Sequence, residues 1–100
     1  MKNFRTFNLA VEFYRMMRAL RLPGAEQDQC RRAALSIALN LAEGRGKSTT
    51  RDQIRFFSIA LGSVRECQAI LILCDLERSK YWEILDRLAA SLYKLIRNAV

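Results

Sequence analysis

Apolar positions recur every three or four residues along the whole chain, and no segment alternates with a period of two. Four helical runs follow from this spacing. Helix A is expected over residues 7–21, on a stripe of Ala10, Phe13, Met17 and Leu20 that Leu9, Tyr14 and Met16 widen. Leu22-Pro23-Gly24 ends it. Helix B is expected over 25–43, with Gly44 just beyond it as the left-handed residue that closes many helices. The loop that follows, Gly44-Arg45-Gly46-Lys47-Ser48, is the most flexible stretch of the chain by composition. Thr49 or Thr50 caps helix C, expected over 50–75, with Asp52 or Gln53 three residues on. Ser79 caps helix D, expected over 79–98. Its seam is Tyr81, Leu85, Leu88, Leu92, Leu95 and Ala99. Short connections between neighbouring helices imply antiparallel packing. The reading is an all-α, up-down four-helix bundle forming one domain, residues 1–100.

Two helices depart from a simple amphipathic pattern. On helix B, Gln29, Arg32, Ser36, Asn40 and Glu43 fall within an arc of roughly 80° at about 100° per residue. Nearly everything else from Cys30 to Ala42, apart from Arg31, is apolar. A surface helix needs an apolar stripe of a little over ~100°, and this one has far more. Either it is the central helix of its bundle or it buries a second face against another subunit, and the small size of the bundle favours the second. The polar lane then faces solvent, or forms a hydrogen-bonded lane at a subunit contact, or carries chemistry. Helix C places Arg51, Arg55, Ser58, Gly62, Arg65, Glu66 and Ala69 opposite Phe57, Leu61, Val64 and Leu71. A mid-helix glycine costs about 1 kcal/mol relative to alanine. Gly62 therefore points to close approach by another helix or another chain, with a tolerated surface glycine as the alternative.

Composition removes most chemistry. The chain has 100 residues and no histidine, so there is no Ser-His-Asp triad, no histidine base and no histidine-held zinc. Cys30, Cys67 and Cys74 are an odd count without a C-x-x-C pair. They read as small core residues in a reducing, cytoplasmic setting. No run of about 18 uncharged apolar residues exists, so no membrane span and no membrane partner is expected. Gly46-Lys47-Ser48 ends like a phosphate-binding loop, but Leu41 stands where the first glycine belongs and a helix replaces the strand. Glu43 and Glu66 lack the spacing of a metal or hydrolytic pair. The expectation is a protein that is not an enzyme, with no metal and no cofactor.

Charge does point somewhere. Net charge is +7, and all of it lies in residues 1–65, where twelve Lys or Arg face five Asp or Glu. Residues 66–100 hold five of each. Arg45, Lys47, Arg51 and Arg55 cluster around the loop, and Arg15 and Arg18 form a second patch on helix A. Such a footprint fits nucleic-acid phosphates, RNA or DNA, through backbone contacts with little sequence readout. Aromatic interleaving of the kind that reads single-stranded bases is not evident. An acidic protein partner is the alternative.

Two blocks then carry a resemblance. The first is Gln29-Cys30-Arg31-Arg32-Ala33-Ala34-Leu35-Ser36-Ile37 followed by Asn40-Leu41-Ala42-Glu43-Gly44-Arg45-Gly46-Lys47-Ser48-Thr49. The second is Arg55-Phe56-Phe57-Ser58-Ile59-Ala60-Leu61-Gly62-Ser63-Val64-Arg65-Glu66. Together they resemble the bacterial four-helix-bundle family encoded in intervening sequences of 23S ribosomal RNA genes. Relatives of that family include the accessory variability proteins of diversity-generating retroelements. The segment before Gln29 is shorter than is usual in the family, and the turn between helices C and D lacks its usual Gly-Tyr. The resemblance implies a homo-oligomeric ring, typically a pentamer, with an electropositive surface. In the retroelement branch it implies binding of nucleic acid and of a reverse transcriptase during cDNA synthesis. An interaction scaffold of unknown role is the implication for the intervening-sequence branch. No catalytic residue is implied. Arg32, Ser36, Asn40, Glu43, Gly62, Ser63 and Glu66 are read as a structural or oligomer lane, in which Asn40, Glu43, Ser63 and Glu66 satisfy one another.

Overall fold

The computed structural model describes residues 4–99; residues 1–3 and 100 of the expected domain lie outside them. Among the described residues there are four helices and no strand: α1 (Arg5–Ala19), α2 (Gly24–Arg45), α3 (Thr50–Leu73) and α4 (Lys80–Ala99). Each of the four packs on two others: α2 lies against α1 and α3, and α4 against the same two. One hydrophobic core draws on all four, with Phe13, Met17, Ile37, Leu41, Val64, Leu71, Leu85, Leu88 and Leu92 fully buried.

The helix ends follow local chemistry. Helix α1 starts two residues earlier than its apolar stripe suggests. Phe4 is buried edge-on against Phe57, with ring centroids 6.4 Å apart. The buried Thr6 hydroxyl shares a 2.6 Å hydrogen bond with Ser91 of α4. These contacts draw the first turn into the helix. Its end comes earlier too, because Leu20 is already extended at φ −78, ψ 139, ahead of Pro23. The Leu20–Pro23 link is tied down by the Leu22 N–H, which donates to Gln27 Oε1 at 2.7 Å.

Gly44 overturns an expectation. No described glycine has a positive φ, and α2 runs through Gly44 to Arg45. The reason is packing. A Cβ on Gly44 would lie 2.6 Å from Cε1 of Phe57 and 3.2 Å from Cβ of Phe56. The glycine is therefore a close-approach point between α2 and α3, and the helix continues in order to make it. Gly62 is the opposite case. Its Cβ would meet nothing within 4 Å, so no other helix of this chain comes close to it.

The left-handed residue is found elsewhere. Asp75, at φ 58, closes α3 two residues before the sequence-based end at 75. The Leu76 N–H donates to Leu71 O at 2.8 Å and the Asp75 N–H to Ile72 O at 3.1 Å. This paired reversal satisfies the last carbonyls of the helix. At the two N-termini the hydroxyl caps are as expected. Thr49 Oγ1 accepts from the Asp52 N–H at 3.2 Å, and Ser79 Oγ from the Trp82 N–H at 3.4 Å. Helix α3 is also long and apolar enough to cross a membrane by length and composition. Its Phe57, Ala60, Val64, Cys67 and Leu71 are buried in the bundle instead.

Candidate nucleic-acid interface

The basic loop is built from the end of α2 and the start of α3. Gly46 ends α2 in a right-handed conformation at φ −83, and its N–H reaches back to Glu43 O at 3.1 Å. The Lys47 N–H then reaches Gly44 O at 3.2 Å, and the Gln53 side chain donates to Lys47 O at 3.1 Å. The segment that looked loosest by composition thus carries three hydrogen bonds across four residues.

Side chains on this frame gather around an aromatic ring. Lys47 Nζ lies 5.1 Å from the centroid of Phe56, and the Arg55 guanidinium 5.4 Å from the same centroid. A cation over a ring face is attracted by its quadrupole, worth about 0.5–1 kcal/mol at exposed sites. Lys47 also pairs with Glu43 at 3.3 Å. Arg51 and Arg55 share an open cleft of about 790 Å³ with Thr49, Asp52 and Ile54. Of the four expected loop cations, Lys47 and Arg55 share the Phe56 ring and Arg51 lies in the cleft beside Arg55. Arg45 stands apart from them. Its guanidinium sits 4.5 Å over the ring of Phe4, beside a cleft that Gln53, Phe57, Leu95, Asn98 and Ala99 also line.

Arg15 and Arg18 are exposed on α1. Arg18 lies in the last turn of that helix, whereas Arg45 covers the residue before its first. At 1.5 Å per residue, the two levels are about 20 Å apart. The two patches expected from the sequence thus lie at different levels, with Arg18 and Arg45 at opposite ends of α1. Arg18 instead shares a cleft with Tyr14, Arg21, Gln27 and Arg31.

The polar lane of α2 is split in the same way. Ser36, Asn40 and Ser63 are half-buried along the α2–α3 seam. Ser63 donates to Ser36 Oγ at 2.8 Å, and Asn40 Nδ2 donates to Ser36 O at 2.9 Å and to its Oγ at 3.1 Å. Arg32, Glu43 and Glu66 are exposed, and Glu43 turns to Lys47 rather than to Asn40. Beside the seam, Leu35, Leu39 and Ile59 stay 45%, 56% and 44% exposed. The second apolar face of helix B is real, and no helix of this chain covers it.

Among the described residues no three His, Cys, Asp or Glu side chains gather where a metal ion could be held. Cys30 and Cys67 are buried free thiols of the core, with Cys30 Sγ 3.8 Å from Met17 Sδ, and Cys74 is half-buried. A hydrogen bond to Cys30, with burial behind it, pushes the Cys67 thiol well above its ordinary range. Sequence reasoning missed Phe56 as the centre of the patch. Its signal was present in the Arg55-Phe56 pair. It also missed Gln27 and Arg31 as neighbours of Arg18, because the α1–α2 turn brings them together.

Comparison with curated proteins and with solved structures finds no match. A family model described as 23S rRNA-intervening sequence protein matches residues 4–98. That span takes in all four helices, the loop patch and the α2–α3 seam, and the chain belongs to the 23S rRNA-intervening sequence protein family.

Proposed function

We propose that this chain is a non-catalytic accessory protein that binds the phosphate backbone of nucleic acid through Lys47, Arg51 and Arg55. The observation that carries the reading is the convergence of Lys47 and Arg55 on Phe56, with Arg51 in the adjoining cleft. Clustered cations of this kind meet backbone phosphates, and an aromatic ring among them offers a stacking surface for an unpaired base. Phosphate contacts of this kind position a protein without reading sequence.

The bundle is up-down and antiparallel in this reading, and copies of it close into a ring. The uncovered face of Leu35, Leu39 and Ile59 supports self-association, since such an apolar strip beside a polar seam fits an interface. A ring repeats the loop patch and multiplies its field. The resemblance extends the reading to a reverse transcriptase as protein partner in the cytoplasm. Co-purification with such an enzyme tests that part.

Binding to duplex DNA and to structured RNA, measured across a salt series, tests the core of the proposal. Affinity should fall as salt rises. The triple variant Lys47→Ala/Arg51→Ala/Arg55→Ala should bind all sequences more weakly, with a salt slope shallower by about one per lost contact. No binding at low salt, or binding indifferent to salt, overturns it. For assembly, light scattering on Leu39→Asp should show smaller particles than the parent chain.

A further inference from the structure

The cleft at the α1–α2 turn has features of its own. Tyr14 and Arg18 of α1, Arg21 of the link, and Gln27 and Arg31 of α2 line an open volume of about 540 Å³. The acidic residues on either side of Gln27, Glu26 and Asp28, do not line it. No ion pair or hydrogen bond engages the guanidinium of Arg18 or Arg31 among the described residues. Arg21 is held in place, since its Nη1 donates to Arg18 O at 3.0 Å and to Leu20 O at 3.4 Å. This leaves its Nε and Nη2 hydrogens for another acceptor.

At the wall of the same cleft lies an unsatisfied donor. Gln27 is 9% exposed, and its Nε2 is buried without a hydrogen-bond partner. The amide cannot turn over to relieve this, because its oxygen is taken by the Leu22 N–H at 2.7 Å. A turned amide would set two donors against each other. Buried polar groups are normally paired, and this orphan belongs to a residue that lines one cleft with three arginines.

We infer that this cleft is a binding site for a phosphate group. Three guanidinium forks, an amide NH₂ and a phenol hydroxyl offer more donors than the two oxygens of a carboxylate can accept. A terminal phosphate presents three oxygens and up to two negative charges. The phosphate replaces the missing acceptor of Gln27 and bridges the end of α1 to the start of α2. The site stands whether or not the loop patch at the other end of α1 binds nucleic acid.

Titration calorimetry of the full chain with inorganic phosphate, at low ionic strength and near neutral pH, tests it. Gln27→Glu keeps an oxygen for the Leu22 N–H and replaces the donor with a carboxylate oxygen. It should weaken phosphate binding by about tenfold or more, and Arg31→Ala should do so comparably. Arg97→Ala, which removes one charge far along α4, should leave binding within about twofold. Circular dichroism confirms that each variant is folded, and the exposed Arg31 position keeps the test open if Gln27→Glu is not. Phosphate binding that is absent, or equal in parent, Gln27→Glu and Arg31→Ala, overturns the site. A 5′-phosphorylated oligonucleotide and its 5′-hydroxyl twin identify the source. Tighter binding of the first points to a nucleic-acid end. Equal binding of the two, with inorganic phosphate still bound, points to a free phosphate.

Discussion

Gly44 and Gly62 both sit inside long helices, both belong to the blocks that carry the family resemblance, and they face opposite worlds. Gly44 is buried with the Phe57 ring in the space a Cβ would need; Gly62 is exposed and open. Both spend the same conformational freedom on joining a helix. At Gly44 the return is a close α2–α3 contact. At Gly62 this chain offers none. One glycine is explained by the fold, and the other stands on an open surface.

Gly44→Ala gives the largest expected effect. Alanine adds about 1 kcal/mol of helix propensity, but overpacking against a buried ring costs typically ~1–3 kcal/mol. Chemical denaturation should show a net loss of about 1–2 kcal/mol, and Phe57→Leu in the same chain should recover part of it. A neutral Gly44→Ala would mean that the ring moves aside freely. Ser63→Ala probes the seam between the two glycines. It removes the donor to Ser36 and should cost about 1 kcal/mol, while Ser36→Ala/Ser63→Ala together should cost less than the separate losses combined. Gly62→Ala should stabilise the isolated chain by up to about 1 kcal/mol. If it instead destabilises the chain, or reduces the particle size seen by light scattering, a second copy occupies the space beside Gly62. Asp75→Gly is the smallest, a gain of roughly 0.5–1 kcal/mol, because a left-handed position is one where glycine carries no Cβ penalty. Here the chain lacks a glycine where its backbone asks for one.

The same contrast explains what the sequence disclosed. Helix number, the Thr49 and Ser79 caps and the α4 seam are local matters of spacing and side-chain oxygens, and they are legible from neighbours along the chain. Gly44 misled because a glycine after an apolar run also fits a helix terminus. Only Phe57, thirteen positions on, decides between the two roles. The over-wide apolar arc of α2 is more than this chain covers, since Leu35 and Leu39 stay exposed. The candidate site was half legible. Arg51 and Arg55 are one turn apart, and Lys47 is near in sequence. The separation of Arg45 from them depends on where Phe4 packs, and the grouping of Arg18 with Arg31 depends on the turn at Pro23.

The Ser36–Ser63 hydrogen bond has a consequence beyond its own strength. Together with the Gly44–Phe57 contact it pins α2 to α3 at two heights, eight residues apart, or about 12 Å along the axis. Sliding one helix past the other by a single turn would part the hydroxyls and drive the ring into a residue that has a side chain. The register is thereby keyed like a lock with two wards. Lys47 hangs from the end of one helix, and Arg51 and Arg55 from the start of the other. Their relative heights, and hence the pitch of the basic patch, are set by an uncharged seam.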